Sequence, residues 1–530
     1  GVFLGGIFRY KRALMALLRT VATVGCYTLA SRVLGFARDI LMAAILGAGP
    51  VADAFFVAQR LPNLFRALFA EGAFGAAFVP LASGALTAGG KPAARAFAEE
   101  AFAVLFAVLF ALVVLGEIFM PAVMRVLAPG FEADPAKFAL VVNLARITFP
   151  YLLFISLTAL QAGLLNTVDR FAAAAATPIL LNLFLIAALL AMRQLGWHQG
   201  HLLAAAVTVA GIAQFLWLAV SCGRAGVGLG LRLPLLTPRV RETMRIMMPG
   251  VLGAGVTQLN LVISTALASL LPSGSVSYLY YADRLNQLPL GVIGIAIGTA
   301  ILPSLSRQVR TGEAAAAVAT QNRGVELALF LTLPAAAGLV MLAHPILAIL
   351  FERGAFGPAA ASATAAALAA YAIGLPAFVL VKVLAPGFYA HRNTKTPVKV
   401  AVAAVALNLG LTLVLMRPLA HVGVAIALSA SGWMQALSLF VLLGRHGHFR
   451  LDRRAAGHIP RIAGATAGMV AILAVLRLVL APELAGDEIV RIAALAALIA
   501  AGIAGFAGLA LAFGAVGWGD LRRLRRRQPA

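Results

Sequence analysis

The chain has 530 residues, of which only 12% are charged, and its mean hydropathy is +0.96. This charged share is about half that of soluble domains, and apolar runs of roughly 20 residues recur along the chain, which excludes a soluble protein. The net charge of +23 therefore does not indicate nucleic-acid binding, because basic residues also retain the cytoplasmic loops of membrane proteins.

The chain begins with residues 1–19, a segment that is predicted to lie in the cytoplasm. The stretch "MALLRT" from Met15 is typical of a natural start, and no small-residue cleavage site follows it. We therefore interpret residues 1–14 as an upstream or non-native extension rather than a cleaved signal. Cys26 and Cys222 lie in or next to apolar runs and do not indicate a disulfide framework.

Apolar runs between polar residues predict 14 membrane-spanning helices, so the predicted fold class is an all-α polytopic membrane protein. In chain order the helices are predicted at residues 20–46, 52–86, 97–122, 138–165, 171–192, 201–223, 243–271, 277–306, 324–350, 360–390, 397–416, 421–444, 459–481 and 490–516.

The distribution of basic residues predicts the orientation of these helices. An even number of helices places both termini on one side of the membrane. The termini and loops on that side carry roughly four times as many Lys and Arg as the loops on the other side. Examples are Lys91, Arg170 and the tail "RRLRRR". Both termini are therefore predicted to be cytoplasmic.

Two halves of the chain repeat each other. "RLPNLF…FVPLAS" from Arg60 matches "RLNQLP…ILPSLS" from Arg284, and the pairs Gly211/Gly432 and Gly223/Gly444 match at an offset of 221. Each repeat has six helices, so both enter the membrane in the same direction. A pseudo-twofold axis along the membrane normal is then expected, and transporters built from such repeats bind substrate near mid-depth between the halves.

This duplication predicts two lobes followed by two further helices. The predicted domains are an N-lobe at 20–224 with helices 1–6, a cytoplasmic linker at 225–242, a C-lobe at 243–445 with helices 7–12, helices 13–14 at 446–516, and a basic cytoplasmic tail at 517–530.

Cations inside the predicted helices are the main functional signal. Each would cost roughly 2.5–3.5 kcal/mol if it faced lipid at mid-bilayer, so they are expected to face a wet cavity or a partner. An excess of arginine in a cavity selects anions, and guanidinium groups suit phosphate and carboxylate. The residues are Arg32, Arg38, Arg60, Arg66, Arg146, Arg284 and Lys382.

We predict that Arg32, Arg38, Arg66 and Arg284 bind substrate, with purely structural pairing as the alternative. Arg60 is assigned to the same site, although the two interpretations carry similar weight there. Arg146 and Lys382 either line the cavity, extend toward the membrane surface or join helices. The candidate anions within the membrane are Asp39, Asp53, Glu71, Glu117 and Asp283.

The predicted roles of these acidic residues differ. Asp39 and Asp283 either orient neighbouring arginines or bind a coupling cation. Asp39 and Arg32 are seven residues apart, which places them on one helix face. Gly35 and Pro62 are expected to loosen or disrupt their helices near the arginines. Glu71 is expected at a cytoplasmic helix end or gate.

Several enzyme classes are excluded by missing patterns. The chain has no G-x-x-x-x-G-K-[ST] loop, no H-E-x-x-H and no nucleophile elbow, so we predict neither catalytic nor metal-binding residues. A membrane glycosyltransferase would need an acidic catalytic loop, which the short loops do not supply. No resident cofactor is expected, and the energy is predicted to come from a sodium or proton gradient, the membrane potential or the substrate's own gradient.

Four stretches closely resemble the MurJ (MviN) family of lipid II flippases: "SRVLGFARD", "ADAFFVAQRLPNLFRALFAEGAFGAAFVP", "YYADRLNQLPLGVIGIAIGTAILPSLS" and "VLAPGFYAHRNTKTPVK". This resemblance implies 14 helices, a cationic central cavity and a hydrophobic groove formed with helices 13–14. It places the family's arginines on Arg32, Arg38, Arg66 and Arg284, and its acidic positions on Asp39, Asp53 and Asp283. Some relatives carry a carboxylate where this chain has Asn286 and Gln287.

The resemblance implies movement of undecaprenyl-pyrophosphate-linked peptidoglycan precursor from the cytoplasmic to the periplasmic leaflet by alternating access. The expected location is the bacterial inner membrane, and the expected partners are lipid II and membrane lipids, with a monomeric chain and no nucleic acid. The alternative is a flippase for another lipid-linked oligosaccharide, used for surface polysaccharide.

Overall fold

A computed structural model describes residues 2–69, 73–196 and 200–515. Side chains are described for residues 22–67, 74–75, 77–196, 200–248, 255, 258–294, 297–298 and 300–515. In these ranges the regular structure is helical, apart from one isolated bridge between Arg353 and Phe356. The predicted all-α class is confirmed.

The chain divides into two compact units, Gly1–Gly274 and Ser275–Ala530. The helices of unit 1 are α1 (Val2–Leu46), α2 (Pro50–Phe69), α3 (Ala73–Leu127), α4 (Pro135–Thr148), α5 (Tyr151–Thr167), α6 (Phe171–Leu195), α7 (His201–Arg224) and α8 (Pro238–Ser269), with a 3₁₀ turn at Pro129–Ala133. The helices of unit 2 are α9 (Ser275–Arg310), α10 (Ala314–Phe351), α11 (Pro358–Ala390), α12 (Lys395–Arg445), α13 (Arg453–Val479), α14 (Ala481–Leu484) and α15 (Glu488–Ala512).

Two of these elements are pairs of helices joined at a kink. α3 has non-helical backbone at Gly89 and Gly90, and α12 has non-helical backbone at Ala420 (φ 47°, ψ −130°). A straight helix of the 51 residues of α12 would be roughly 76 Å long, more than twice the thickness of the hydrocarbon core. The kink at Ala420 makes two helices of membrane length from this segment.

Within the described residues, nine helical segments are long and apolar enough to cross a membrane. They span Ala77–Leu127, Pro135–Thr167, Phe171–Leu195, His201–Arg224, Ala314–Phe351, Pro358–Ala390, Lys395–Arg445, Arg453–Val479 and Glu488–Ala512. A helical protein with many apolar spans is a multi-pass membrane protein.

The last helix of unit 1, α8, packs against α3 and α2 of the same unit. Gly130 approaches α8 so closely that an added Cβ would lie 2.1 Å from the Ser269 carbonyl oxygen, and its amide donates to Ser269 Oγ at 3.1 Å. These contacts join α8 to the 3₁₀ turn of unit 1.

The backbone also differs from the expectation at Gly35 and Pro62. α1 continues through Gly35 to Leu46, and α2 continues through Pro62 to Phe69. Pro62 is buried, so we attribute the continuity of the helix to tertiary packing, which overrides the local propensity of proline. Gly47 follows the last residue of α1, and its φ of 67° lies in the left-handed region that favours glycine.

Candidate functional site

Arg38 and Asp39 form a buried ion pair on α1 of unit 1. Arg38 Nη2 donates to Asp39 Oδ1 at 2.7 Å and Nε donates to the same oxygen at 3.1 Å. The remaining arm, Nη1, donates to Asn182 Oδ1 of α6 at 3.0 Å. Asn182 Nδ2 in turn donates to the Ser31 carbonyl at 3.0 Å. The guanidinium of Arg38 is therefore fixed in orientation by both α1 and α6.

Arg32 lies in a different environment on the same helix. Its side chain is exposed and makes no hydrogen bond or ion pair with a described residue. Asp39 on the same helix pairs with Arg38. Arg32 therefore carries a positive charge that no described side chain compensates.

The arginines of α2 are half-buried. Arg66 Nε donates to Asn63 Oδ1 at 3.3 Å, which holds the guanidinium along its own helix. Arg60 makes no hydrogen bond or ion pair with the part of the chain that the structure describes. Glu71, the predicted gate residue, lies outside the described residues.

Asp53 lies at the start of α2 and pairs with a lysine that the sequence did not identify. Asp53 Oδ2 accepts a hydrogen bond from Lys137 Nζ at 3.0 Å and from the Gly274 amide at 2.7 Å. Both charged groups are buried, and Lys137 Nζ also lies 4.0 Å from the Phe131 ring centroid. Together these contacts join α2, α4 and the segment that follows α8 within unit 1.

In unit 2, Arg284 stacks over an aromatic ring one helical turn away. Its Cζ lies 4.7 Å from the Tyr280 ring centroid, and Nη2 is 3.1 Å from Tyr280 Oη. Asp283 accepts a hydrogen bond from Gln287. Asn286 is 2% exposed, and its Oδ1 has no hydrogen-bond partner among the described residues.

The two remaining predicted cations contact neighbouring helices. Arg146 is exposed, and its Nε donates to the Glu117 carbonyl at 3.3 Å. The side chain of Lys382 on α11 lies against Gly294 of α9. A Cβ atom added to Gly294 would lie 3.1 Å from Lys382 Nζ. Both contacts agree with the interpretation in which these cations join helices.

The electrostatic balance along α1 and α2 favours binding of an anion. These helices carry Arg32, Arg38, Arg60 and Arg66, whereas Asp53 is already paired with Lys137. Asp39 pairs with Arg38, and the side chains of Arg32 and Arg60 make no ion pair with a described residue, so these two arginines contribute positive charge to the site. Guanidinium groups bind phosphate or carboxylate through paired N–H donors.

Sequence reasoning missed Asn182 and Lys137 as partners of the site. Asn182 recurs in the second repeat as Asn408, and a polar residue repeated inside an apolar helix was the available signal. Lys137 offered no comparable signal, because it follows Asp134 and Pro135 in what the sequence presents as a loop.

The comparison with known proteins identifies related sequences over nearly the whole chain. The family model described as "Lipid II flippase MurJ" matches residues 42–519. A probable lipid II flippase MurJ from Rhizobium meliloti (strain 1021) is 45% identical over 520 residues, covering 97% of this chain and 96% of the relative. The lipid II flippase MurJ of Burkholderia cenocepacia is 36% identical over 440 residues, covering 82% of this chain and 85% of the relative.

Solved structures give the same result at the level of the fold. A structure described as lipid II flippase MurJ in an inward closed conformation has a TM-score of 0.78 and 25% identity, covering 95% of this chain and 99% of that chain. An inward-facing MATE family transporter of the MOP superfamily has a TM-score of 0.67 at 13% identity, covering 79% of this chain and 94% of that chain, and shares the fold alone. With the arginines of α1 and α2 in place and the match extending along both units, the chain belongs to the lipid II flippase MurJ family.

Proposed function

We propose that this chain moves lipid II from the cytoplasmic to the periplasmic leaflet of the bacterial inner membrane, as a transporter rather than an enzyme. Membership of the family supports this assignment, since its relatives are named lipid II flippases. The observation that carries the chemistry is the excess of guanidinium groups along α1 and α2, with Arg38 fixed by Asp39 and Asn182 and Arg32 left without a described partner. A pyrophosphate is a natural ligand for such groups.

The proposed architecture is the one derived from the sequence: 14 membrane helices, two six-helix lobes related by a pseudo-twofold axis along the membrane normal, and two final helices. The kinks in α3 and α12 support the count, because each divides a long helical segment into two. The proposal includes cytoplasmic termini, a monomeric chain in contact with membrane lipids, and no nucleic-acid partner.

The proposed mechanism is alternating access. The arginines would bind the anionic headgroup in a central cavity while the prenyl chain stays in lipid, in a groove formed with helices 13–14. Arg284 is likewise proposed to bind an anionic headgroup, because its guanidinium group suits phosphate. A sodium or proton gradient, or the membrane potential, would supply the energy, and no resident cofactor is proposed.

The assignment is tested by complementation of a strain depleted of its own lipid II flippase. Replacing Arg32, Arg38 or Arg284 with Ala or Lys is expected to abolish growth while the protein remains in the membrane, because a lysine cannot reproduce the planar guanidinium contact. Arg193→Ala and Arg417→Ala change exposed arginines at helix ends and should support growth. Full growth with all three site arginines replaced would reject the role.

A leaflet-resolved assay separates this function from the alternative substrate. Depletion of a lipid II flippase leaves the precursor in the cytoplasmic leaflet, whereas depletion of a flippase for surface polysaccharide leaves the precursor distribution unchanged. Restoration of lipid II to the outer leaflet by the wild-type chain, and not by the Arg38→Ala variant, is the expected result.

A further inference from the structure

A basic cavity of about 400 Å³ lies in unit 1 where the turn between α5 and α6 meets the end of α7. Its wall is formed by the turn residues 169–173, by Ser221, Arg224 and Ala225 of α7 and the residue after it, and by Thr23 of α1. The residues assigned above to substrate binding are not among those that line it. The cavity is therefore separate from the proposed transport site.

Two of the three charged side chains that line this cavity are cationic. Arg170 and Arg224 both line it and both are exposed, and neither side chain makes a hydrogen bond or ion pair with a described residue. A third cation is adjacent, because Lys91 Nζ donates to the Ala225 carbonyl at 2.9 Å. Close placement of like charges is unfavourable unless an anion compensates them.

Asp169 is the one acidic residue among those that line the cavity, and its position is explained by the end of α5. Its φ is 59°, and the Arg170 amide donates to the Leu165 carbonyl at 2.9 Å, as in a left-handed helix C-terminus. Asp169 forms no ion pair with either arginine. It therefore leaves the guanidinium groups available.

The backbone adds donors of the same kind. The first amides of α6, at residues 171–173, lie in the cavity wall and have no acceptor within the helix. Arg170, at the N-cap, supplies no side-chain acceptor for them. The partial positive charge of this helix end has the same sign as the flanking arginines, and such ends bind phosphate readily.

The corresponding place in the second repeat is filled by side chains. Arg392, 223 residues after Asp169, has the same left-handed backbone with φ 58°. There the rings of His391 and His448 stack with centroids 3.6 Å apart, and His446 lies 6.1 Å from His448. Each unit thus has the same turn, but unit 1 keeps an open basic cavity where unit 2 packs three rings.

We propose that the cavity between Arg170 and Arg224 binds a phosphate group, and that its source is the headgroup of an anionic lipid. Trp217 supports the lipid source, since its indole N–H donates to the Ala173 carbonyl at 3.2 Å while the ring is 46% exposed beside the cavity. Tryptophan is enriched at the membrane interface, and basic pockets between helices on the cytoplasmic side bind lipid phosphates. With the proposed orientation, the lipid belongs to the cytoplasmic leaflet.

The test uses the full chain, stripped of lipid in detergent, with Trp197, Trp433 and Trp518 replaced by Phe so that Trp217 alone reports on the cavity. Short-chain phosphatidylglycerol, short-chain phosphatidylcholine and inorganic phosphate are titrated separately. We expect a saturable fluorescence change with phosphatidylglycerol that Arg170→Gln/Arg224→Gln weakens by about tenfold or more. The control Arg239→Gln/Arg241→Gln removes the same charge from exposed positions on α8 and should bind as the unmodified protein does.

The outcomes separate the possible ligands. Saturation by inorganic phosphate at the same concentrations, lost in Arg170→Gln/Arg224→Gln, supports the phosphate site and assigns it to a soluble ligand. An equal response to phosphatidylcholine, no saturable response to any probe, or unchanged affinity in the double variant overturns the proposal. The complementation test above involves none of these residues, so the two proposals fail independently.

Discussion

At the scale of single residues, the arginines of this chain differ in how firmly they are held. Three hydrogen bonds fix the guanidinium of Arg38 between Asp39 and Asn182, whereas Arg32 makes none with a described residue. A fixed group can recognise the geometry of an anion, while an exposed one contributes charge with less orientation. If both bind the anion as proposed, Arg38 would orient it and Arg32 would add electrostatic attraction.

The buried pair of Asp53 and Lys137 gives a prediction at this scale. Lys137→Met or Asp53→Asn alone leaves one buried group without its partner, which costs about 3–5 kcal/mol of unfolding free energy. The double variant should recover part of that loss, because no uncompensated charge remains. The measurement is the apparent melting temperature of the purified protein in detergent.

A surface pair provides the control for this experiment. Arg125 and Glu132 are paired at 2.9 Å, but their side chains are 62% and 47% exposed, so Arg125→Met or Glu132→Gln should cost about 1 kcal/mol or less. Equal melting temperatures for the buried and exposed variants would contradict the assignment of Asp53–Lys137 as a stabilising pair.

At the scale of elements, the repeated glycines are explained by close helix packing. Gly211 on α7 lies against Tyr151 of α5, with an added Cβ 2.7 Å from Cδ2. Gly432 on the second half of α12 lies against Phe378 of α11, with an added Cβ 2.5 Å from Cε1. The same contact thus occurs inside each unit, and small residues are what membrane helices require for such approach.

This packing predicts opposite effects for two kinds of glycine. Gly211→Ala and Gly432→Ala should each destabilise the protein by about 1–3 kcal/mol, because the facing ring must shift. Gly410→Ala, in the first half of α12 with nothing within 4 Å, should be neutral or slightly stabilising. The expected readout is a lower melting temperature for the first two variants only, and a loss in Gly410→Ala as well would show that the ring contacts are not the cause.

The stack of His391, His446 and His448 predicts how stability depends on pH. Burial, followed by the charges of His391 and His446, lowers the pKa of His448 below its ordinary value of 6.5. His448 therefore binds a proton more readily in the unfolded chain than in the folded one. Its contribution to the free energy of unfolding is fully present above the pKa of the unfolded state and is lost as the pH falls through the pKa of the folded state. The melting temperature should thus fall on acidification from pH 8.

Variants at this stack identify the group responsible. His448→Asn should reduce the dependence of melting temperature on pH, because the group that resists protonation is gone. His344→Asn changes an exposed histidine outside the stack and should leave the dependence in place. A pH profile that is the same in His448→Asn and in the unmodified protein would rule out the stack as its origin.

At the scale of the whole molecule, the net charge of +23 is unevenly distributed over the loops. By the positive-inside rule, this distribution predicts that both termini lie in the cytoplasm. The prediction is tested with single cysteines in a Cys26→Ser/Cys222→Ser background, using a maleimide that cannot cross the membrane.

The two positions chosen for this test lie on opposite sides in the proposed orientation. Asp169→Cys should react only after the cells are permeabilised, and Glu483→Cys should react in intact cells, because both residues are exposed at helix ends. The reversed pattern would invert the topology, and with it the leaflet assigned to the basic cavity.

Local properties of the sequence determined the class of this protein. Hydropathy is a sum over neighbouring residues, so the helical, membrane-spanning character could be inferred without coordinates and is confirmed by the fold and the family. The arginines of α1 and α2 could also be named in advance, because a cation inside an apolar run is visible in the sequence.

Only the tertiary structure showed which groups pair with the buried charges and where the chain bends. Arg38 contacts Asn182, which is 144 residues away in the sequence, and Asp53 pairs with Lys137, which is 84 residues away. These contacts form because the helices that carry the residues pack together. Packing likewise keeps α2 helical through Pro62 and joins α8 to unit 1. A buried charge takes its partner from its neighbours in space, and linear patterns of hydropathy contain no information about those neighbours.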